Sequence, residues 1–317
     1  MATAICSAAA YPSASTRAKA EAAPPSGRPG GAGRATLAAC AAMLLLGGCI
    51  ETLFFHPNNH EYREPAKLGL RSVDVTFPAE DRSPLDGWWL PADPAAGPPR
   101  CTVVHAHGNA ANISRHIEAV AWLPPLGVNV LMFDYRGFGV SMGKPSLDGV
   151  VADTMAAVHA ALTLPGATPG RIVVFGQSLG GATAIRAVEE LGPDLVQGLI
   201  VDSAFARYSD VAEHVAEEIK VLKLMPKIAR NDLPGEEEDP VTAIAHVRVP
   251  VWIIHGDADR IVPFKQGQLL YEAAPAPKTW VPVAGAQHLR AMQRPEVRQA
   301  VIEALREVCG PIGVTEP

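Results

Sequence analysis

A serine stands between two glycines where a predicted strand is followed by a predicted helix. Residues 171–175 are a short β-branched run typical of a buried strand, and residues 181–191 have the apolar spacing of a helix. The sequence G-Q-S-L-G at 176–180 therefore indicates a nucleophile elbow. Its tight turn would hold the Ser178 hydroxyl at a helix N-terminus, where developing negative charge is favoured. The same residues also fit a glycine-rich turn or a helix N-cap, so other parts of the chain must decide.

A serine hydroxyl needs a base to take its proton and an acid to orient that base. In folds with this elbow the order along the chain is serine, acid, histidine. His288 alone among the ten histidines follows the candidate acids, and it is the predicted base. The predicted acid is Asp259, in the loop after a strand candidate at 251–255. Asp257 in the same loop is the second choice, and Asp202 at the end of an earlier strand is the third.

Two backbone N–H groups would have to stabilise the oxyanion of such a reaction. One is predicted from Leu179, directly after the serine, and the other from Asn109, in the loop after the third strand candidate. His105 and His107 lie two residues apart on that strand and could suggest a metal site. Because no third ligand is evident, we predict no metal and no cofactor.

Strand and helix patterns alternate along the later part of the chain. From the third strand onward the strands are mostly continuously apolar, which predicts a parallel sheet covered by helices on both faces. No helix separates the first two strands, which indicates an antiparallel hairpin at the sheet edge. The strand candidates are 72–77, 85–90, 101–105, 128–134, 171–176, 199–202, 251–255 and 279–283; the helix candidates are 111–121, 147–162, 179–191, 265–273 and 295–308.

The longest departure from this alternation is residues 204–247, between the sixth and seventh strands. It holds an amphipathic helix at 211–224 and an acidic turn at 235–240. Its position above the carboxyl ends of the strands predicts a small cap over the site. The alternative is a solvated helix that only packs on the sheet.

Composition limits the partners. The chain has 317 residues, 48% of them hydrophobic, and a formal net charge of −6. This is globular composition, and neither the charge nor any Lys/Arg block supports nucleic-acid binding.

The N-terminal region differs from the rest. Residues 1–48 are predicted to be a leader, with an apolar run that ends in L-G-G-C at 46–49. This sequence resembles a bacterial lipobox, which predicts lipidation of Cys49 and a membrane anchor at the cell envelope. An ordinary signal peptide, with a secreted or periplasmic product, and an organelle transit peptide are the alternatives. Cys101 and Cys309 could pair in an oxidising compartment, although their spacing does not require it.

Five blocks together resemble the α/β-hydrolase superfamily. They lie at 107–114, 134–141, 176–181, 255–259 and 285–288, and the similarity covers roughly residues 65–308. The match is to small-cap serine hydrolases of the abhydrolase-domain or serine-aminopeptidase-like kind. The resemblance implies an eight-stranded hydrolase domain over 71–310, after an irregular lead-in at 49–70 and before a tail at 311–317.

The same resemblance implies specific roles. Ser178 would be the nucleophile, Asp259 the acid and His288 the base, with Asn109 and Leu179 supplying the oxyanion N–H groups. The expected reaction is hydrolysis of a small-molecule or lipid acyl ester or thioester through an acyl-enzyme. A peptidase that uses acids from residues 236–238, and a non-catalytic protein of the same fold, remain the alternatives.

Overall fold

A single eight-stranded sheet forms the centre of the protein. The computed structural model describes residues 54–218 and 233–313. The strands are β1 Val73–Pro78, β2 Pro84–Leu90, β3 Cys101–Ala106, β4 Val128–Phe133, β5 Ile172–Gln177, β6 Gly198–Asp202, β7 Val251–Gly256 and β8 Lys278–Val283. They lie in the order β8-β7-β6-β5-β3-β4-β2-β1. Strand β2 is antiparallel to both of its neighbours, β1 and β4. The remaining adjacent pairs are parallel.

Helices cover both faces of this sheet. They are α1 Ile113–His116, α2 Leu147–Ala161, α3 Leu179–Leu191, α4 Tyr208–Glu218, α5 Pro240–Ile244, α6 Phe264–Ala273 and α7 Pro295–Cys309. One apolar core holds α2, α3, α5 and α6 against the sheet, and a second holds α1 and α7 against the opposite face. Every residue of β3, β4 and β5 is buried, as expected for strands covered on both sides. The predicted fold class is confirmed.

The helix predicted at 111–121 is shorter than expected. Ala111 has a positive φ of 71° and pairs with Pro57 of the lead-in, so it lies outside the helix. Asn112 then caps α1 by accepting a hydrogen bond from the Ser114 N–H at 3.0 Å. The chain continues after α1 as a short 3₁₀ turn, Ile117–Ala119. The apolar spacing predicted a helix here, but it did not reveal the contact that delays its start.

The described end of the lead-in packs onto the domain. Phe54 and Phe55 are both 4% exposed. The Phe54 ring contacts Tyr208 at the start of α4, with ring centres 5.8 Å apart, and Phe55 contacts Phe138 at 6.3 Å. The predicted leader and Cys49 lie outside the described residues. Within the described ranges, no helix has both the length and the apolar character needed to cross a membrane.

The segment predicted as a cap is described only in part. It contains α4, a 3₁₀ turn at Glu236–Glu238 and α5, while residues 219–232 lie outside the described ranges and include the end of the helix predicted at 211–224. Glu238 from the acidic turn lies 3.5 Å from the guanidinium of Arg186 on α3. One acid of the turn thus faces the helix that follows the elbow.

A disulfide joins the beginning of β3 to the end of α7. Cys101 and Cys309 are separated by 208 residues in sequence, and their Cα atoms lie 5.4 Å apart. Both cysteines are buried in the core that α7 forms with the sheet. The bond therefore ties the C-terminal helix to a central strand.

Candidate active site

Ser178 occupies a sharp turn between β5 and α3. Its φ and ψ angles are 55° and −118°, a backbone conformation that residues other than glycine rarely adopt. Gly176 and Gly180 flank it because there is no space for a side chain at either position. A methyl group at Gly176 would collide with the backbone of Gly180 and Gly181, and one at Gly180 with the carbonyl oxygens of Ala106 and His107. The close packing of β5, α3 and the end of β3 thus fixes the serine's position.

The structure brings together three of the predicted residues. His288 Nε2 lies 3.0 Å from Ser178 Oγ, and His288 Nδ1 lies 2.7 Å from Asp259 Oδ2. They come from the ends of three different parallel strands, β5, β7 and β8. The geometry is that of a hydroxyl bonded to an imidazole that a carboxylate orients.

Asp259 is buried but well supplied with hydrogen-bond donors. Its Oδ1 accepts hydrogen bonds from the N–H groups of Ile261 and Val262, both at 2.9 Å. Burial by itself raises the pKa of this carboxyl, but the His288 ring and these two N–H groups outweigh it and hold the pKa below its ordinary value. The carboxylate is therefore ionised at neutral pH and can hold His288 with Nδ1 protonated.

The other two candidate acids have different contacts. Asp257 is exposed and accepts a hydrogen bond from the Gly285 N–H at 2.6 Å, which braces the two loops. Asp202 is fully buried and accepts hydrogen bonds from Gln177 Nε2 at 2.9 Å and Ser203 Oγ at 3.0 Å. Burial raises the pKa of Asp202, and these two donors oppose the rise. Neither acid forms a hydrogen bond with His288.

A buried polar network lies beneath the elbow. Gln177 links His105 to Asp202, since its Oε1 lies 3.1 Å from His105 Nε2 while its Nε2 donates to Asp202. Burial, with smaller contributions from neighbouring histidines, lowers the pKa of His105 to about 3, so this ring is neutral. Sequence patterns did not point to Gln177. Its place directly before the serine in G-Q-S-L-G was the only available signal.

His105 and His107, whose spacing could suggest a metal site, bond to different groups. His105 bonds to Gln177, whereas His107 Nδ1 bonds to the Gly108 carbonyl oxygen at 2.7 Å. In the part of the chain that the structure describes, no group of three or more His, Cys, Asp or Glu residues could hold a metal ion.

The loop predicted to supply an oxyanion N–H passes beside the elbow. A methyl group at Gly108 would lie 3.6 Å from the carbonyl oxygen of Gln177, the residue before the serine. Leu179 is the first residue of α3, where backbone N–H groups have no partner within the helix. The predicted donors Asn109 and Leu179 therefore lie on the two segments that meet at Ser178.

The lead-in holds this loop from outside, which sequence reasoning missed. The side chain of Asn109 accepts a hydrogen bond from the His56 N–H at 3.0 Å. Asn112 donates through Nδ2 to the carbonyl oxygens of Asn58 at 3.0 Å and His60 at 2.8 Å. A segment predicted to be irregular thus contributes to the surroundings of the site.

A cavity of about 840 Å³ opens beside His288. It lies between the loop that carries His288, the region of α1 and the lead-in, and its lining includes Gln177, His288 and Leu289. A cavity of this volume is in the range of small-molecule sites.

The fold and the site together define a class of protein. A mostly parallel sheet of this strand order, with a strained serine at one strand end and histidine and aspartate at two others, has the architecture of an α/β hydrolase. A sequence family described as "Serine aminopeptidase, S33" matches residues 97–242.

Comparison with known proteins gives the same assignment. The chain is 35% identical over 242 residues to the uncharacterized protein YfhR of Escherichia coli K12, covering 75% of this chain and 80% of that one. It is 32% identical over 222 residues to the α/β hydrolase domain-containing protein WAV2 of Arabidopsis thaliana, covering 67% and 70%. The solved structure of the Pyrococcus furiosus esterase Pf2001 aligns with a TM-score of 0.65 at 25% identity, covering 80% of this chain and 100% of that one. The chain belongs to the α/β-hydrolase superfamily.

Proposed function

We propose that this protein is a serine hydrolase that cleaves carboxylic esters or thioesters through an acyl-enzyme on Ser178. The observation that carries the proposal is the continuous hydrogen-bonded chain from Ser178 Oγ through His288 to Asp259. Its members lie 110 and 29 residues apart in sequence, and their contact needs the whole fold.

The proposed mechanism follows from this geometry. As Ser178 Oγ attacks the carbonyl carbon, His288 Nε2 takes the hydroxyl proton and Asp259 stabilises the resulting imidazolium. The N–H groups of Leu179 and Asn109 stabilise the oxyanion. His288 then gives its proton to the leaving group as the ester bond breaks. A water molecule that His288 deprotonates then attacks the acyl carbon. The bond to Ser178 Oγ breaks, His288 returns the proton to that oxygen, and the acid is released.

The best test of the nucleophile uses a serine-reactive fluorophosphonate probe. The wild-type protein should be labelled, and Ser178→Ala should not be, because the probe bonds to an activated serine oxygen. Ser203→Ala is a matched control, since Ser203 is also buried and also has a positive φ, of 56°. An unlabelled wild type, or equal labelling of Ser178→Ala, would favour a non-catalytic protein of the same fold.

A peptidase is the second candidate, favoured by the description of the matching family. Nitrophenyl esters of increasing acyl length and an acyl thioester should be assayed beside aminoacyl anilides. We expect the esters or thioesters to give the higher kcat/KM. Faster turnover of the anilides would replace this proposal with an aminopeptidase, for which Glu236, Glu237 and Glu238 are candidate partners of a substrate amine.

We further propose that the protein acts at the cell envelope, anchored through a lipid on Cys49. The lipobox-like residues 46–49 support the anchor. The disulfide between Cys101 and Cys309 supports an oxidising compartment, because such bonds persist there and are rare in a reducing cytosol. In this proposal residues 204–247 are a small cap over the site. Its support is the contact of His214, on α4, with the Arg260 carbonyl oxygen at 2.8 Å, in the loop that carries Asp259.

A further inference from the structure

Arginines dominate the charged lining of the cavity beside His288. Arg63, Arg115, Arg290 and Arg298 line it together with a single carboxylate, Glu118. The chain as a whole carries a net charge of −6, so this concentration of positive charge runs against its general balance. An excess of one sign within a concave site raises the local concentration of ligands of the opposite sign.

Among the described residues, most of this positive charge has no carboxylate partner. Arg63 pairs with Glu118, with Nε and Oε1 at 2.8 Å. Arg298 is held by neutral groups instead, since its Nε donates to the Met292 carbonyl oxygen at 2.8 Å and its guanidinium lies 5.7 Å from the centre of the Trp122 ring. Arg115 similarly lies 5.2 Å from the centre of the Tyr62 ring.

Arg290 is the arginine nearest in sequence to the proposed base, two residues after His288. It is exposed, and within the described residues it forms no ion pair. His116 also lines the cavity but adds no charge at neutral pH, because burial and the neighbouring His107 lower its pKa to about 3. The free cations of the cavity are therefore guanidinium groups, which bind carboxylate and phosphate through two parallel hydrogen bonds.

The position of the cavity indicates which part of a substrate would occupy it. His288 must reach the leaving-group oxygen to protonate it, so the leaving group lies on the His288 side of Ser178. His288 and Leu289 form part of the cavity wall. Resting on the proposed ester hydrolysis, we propose that the preferred substrate is an ester whose alcohol portion carries an oxyanion, a phosphate or a carboxylate, bound by Arg290, Arg115 and Arg298.

The reaction remains ordinary acyl transfer. The bond between the acyl carbon and the alcohol oxygen breaks while the bond from Ser178 Oγ forms, and the serine proton passes through His288 to the departing alkoxide. The arginines hold the anionic end of the alcohol and take no part in bond making. They act on substrate affinity and selectivity.

Matched substrate pairs test the proposal. Butanoylglycerol phosphate is compared with neutral butanoylglycerol, and the butanoyl ester of glycolate with that of methyl glycolate. The wild-type enzyme should prefer the anionic member of at least one pair by about tenfold in kcat/KM, as expected for a few partly exposed charge contacts. The preferred pair identifies phosphate or carboxylate as the group bound, and the preference should shrink as salt is added.

Charge-removing variants connect this preference to the cavity. Arg290→Gln and Arg115→Gln should each reduce the ratio of anionic to neutral kcat/KM by about threefold, and the double variant should bring it close to one. Both side chains are exposed, so the variants should fold. Arg248→Gln removes the same charge from the opposite end of β7 and should leave the ratio at the wild-type value.

Three results would overturn the inference while leaving the proposed function in place. Equal turnover of both members of each pair would show that the cavity does not select an anion. A preference that survives in the double variant would place its origin elsewhere. Selectivity confined to an anionic acyl group, tested with mono-nitrophenyl glutarate against nitrophenyl valerate, would put the charge on the wrong side of the ester. If no ester is cleaved and Ser178 is not labelled by the probe, the proposed function fails and this inference fails with it.

Discussion

Both carboxylate oxygens of Asp259 accept hydrogen bonds, and they accept them from different groups. One oxygen accepts the hydrogen bond from His288, and the other accepts two backbone N–H groups of its own loop. The loop thereby fixes the carboxylate, and the carboxylate fixes the ring. His255 lies behind this pair with its Nε2 bonded to the Val262 carbonyl oxygen at 2.9 Å. Burial lowers the pKa of His255, so this ring lies beside the site as a neutral group.

A first prediction concerns this carboxylate. Asp259→Asn keeps the size of the side chain but removes the charge that stabilises the imidazolium and favours the useful tautomer. We expect kcat/KM on a nitrophenyl ester to fall by about 10³- to 10⁴-fold, as for other hydrolases that use this arrangement. Thermal unfolding, measured alongside, should show that the variant remains folded.

The neighbouring aspartate is the control for this prediction. Asp257→Asn changes the same chemistry two residues away, at a carboxylate that contacts the Gly285 N–H and not His288. We expect it to lower kcat/KM by less than about tenfold. If it lost as much activity as Asp259→Asn, the assignment of the acid would be wrong.

Sequence reasoning at this scale went as far as residue type and order allow. Chain order identified His288, because only one histidine follows the acidic loop. Chain order could not decide between Asp257 and Asp259, because they lie in the same loop. The backbone N–H groups of Ile261 and Val262 hold the Asp259 carboxylate toward His288. Every residue except proline has such an N–H group, so this interaction leaves no signal in the sequence.

At the scale of elements, the lead-in and the loop after β3 behave as one unit. Residues 56–57 pair with residues 110–111, and the side chain of Asn112 connects the two segments while capping α1. These contacts tie the loop that carries Asn109 to the lead-in. Regular periodicity predicted the strands and most helices, but contacts of this kind depend on side chains of segments that have no periodicity.

A second prediction tests this connection. Asn112→Asp keeps the oxygen that caps α1 but replaces the Nδ2 donor with an acceptor that faces the carbonyl oxygens of Asn58 and His60. We expect kcat to fall about tenfold or more with a smaller change in KM, because small displacements of an oxyanion donor reduce transition-state stabilisation. The assay is steady-state ester hydrolysis.

Two further variants separate this effect from simple destabilisation. Asn112→Ala should be less stable than Asn112→Asp, because it also loses the helix cap, worth about 1 kcal/mol. Asn58→Ala keeps the backbone carbonyl that Asn112 binds and should leave kcat near the wild-type value. Wild-type kcat in Asn112→Asp would show that the lead-in does not position the loop.

At the scale of the whole molecule, the sheet brings residues that are distant in sequence together at the carboxyl ends of its strands. The ends of β3, β5, β7 and β8 bring the loop of Asn109, the elbow, Asp259 and His288 together, which the alternation of strands and helices allowed us to predict. The arginine cavity could not be predicted in this way. Its members come from the lead-in, α1, the His288 loop and α7. None of the four arginines belongs to a motif, and the cluster exists only after folding.

The final prediction joins the site to its location in the cell. If Cys49 carries a lipid, the lead-in that begins there reaches the domain at Phe54 and continues to the carbonyl groups that Asn112 binds. The active site would then be held close to the membrane surface, where lipid-derived esters are concentrated.

Cys49→Ala should lose palmitate labelling and move from the membrane to the soluble fraction, while keeping its activity on a soluble nitrophenyl ester. Cys40→Ala removes a cysteine from the same apolar stretch and should stay labelled and membrane-bound. A Cys49→Ala protein that remains in the membrane would argue for an uncleaved leader as the anchor, and release of the wild-type protein would argue for an ordinary signal peptide.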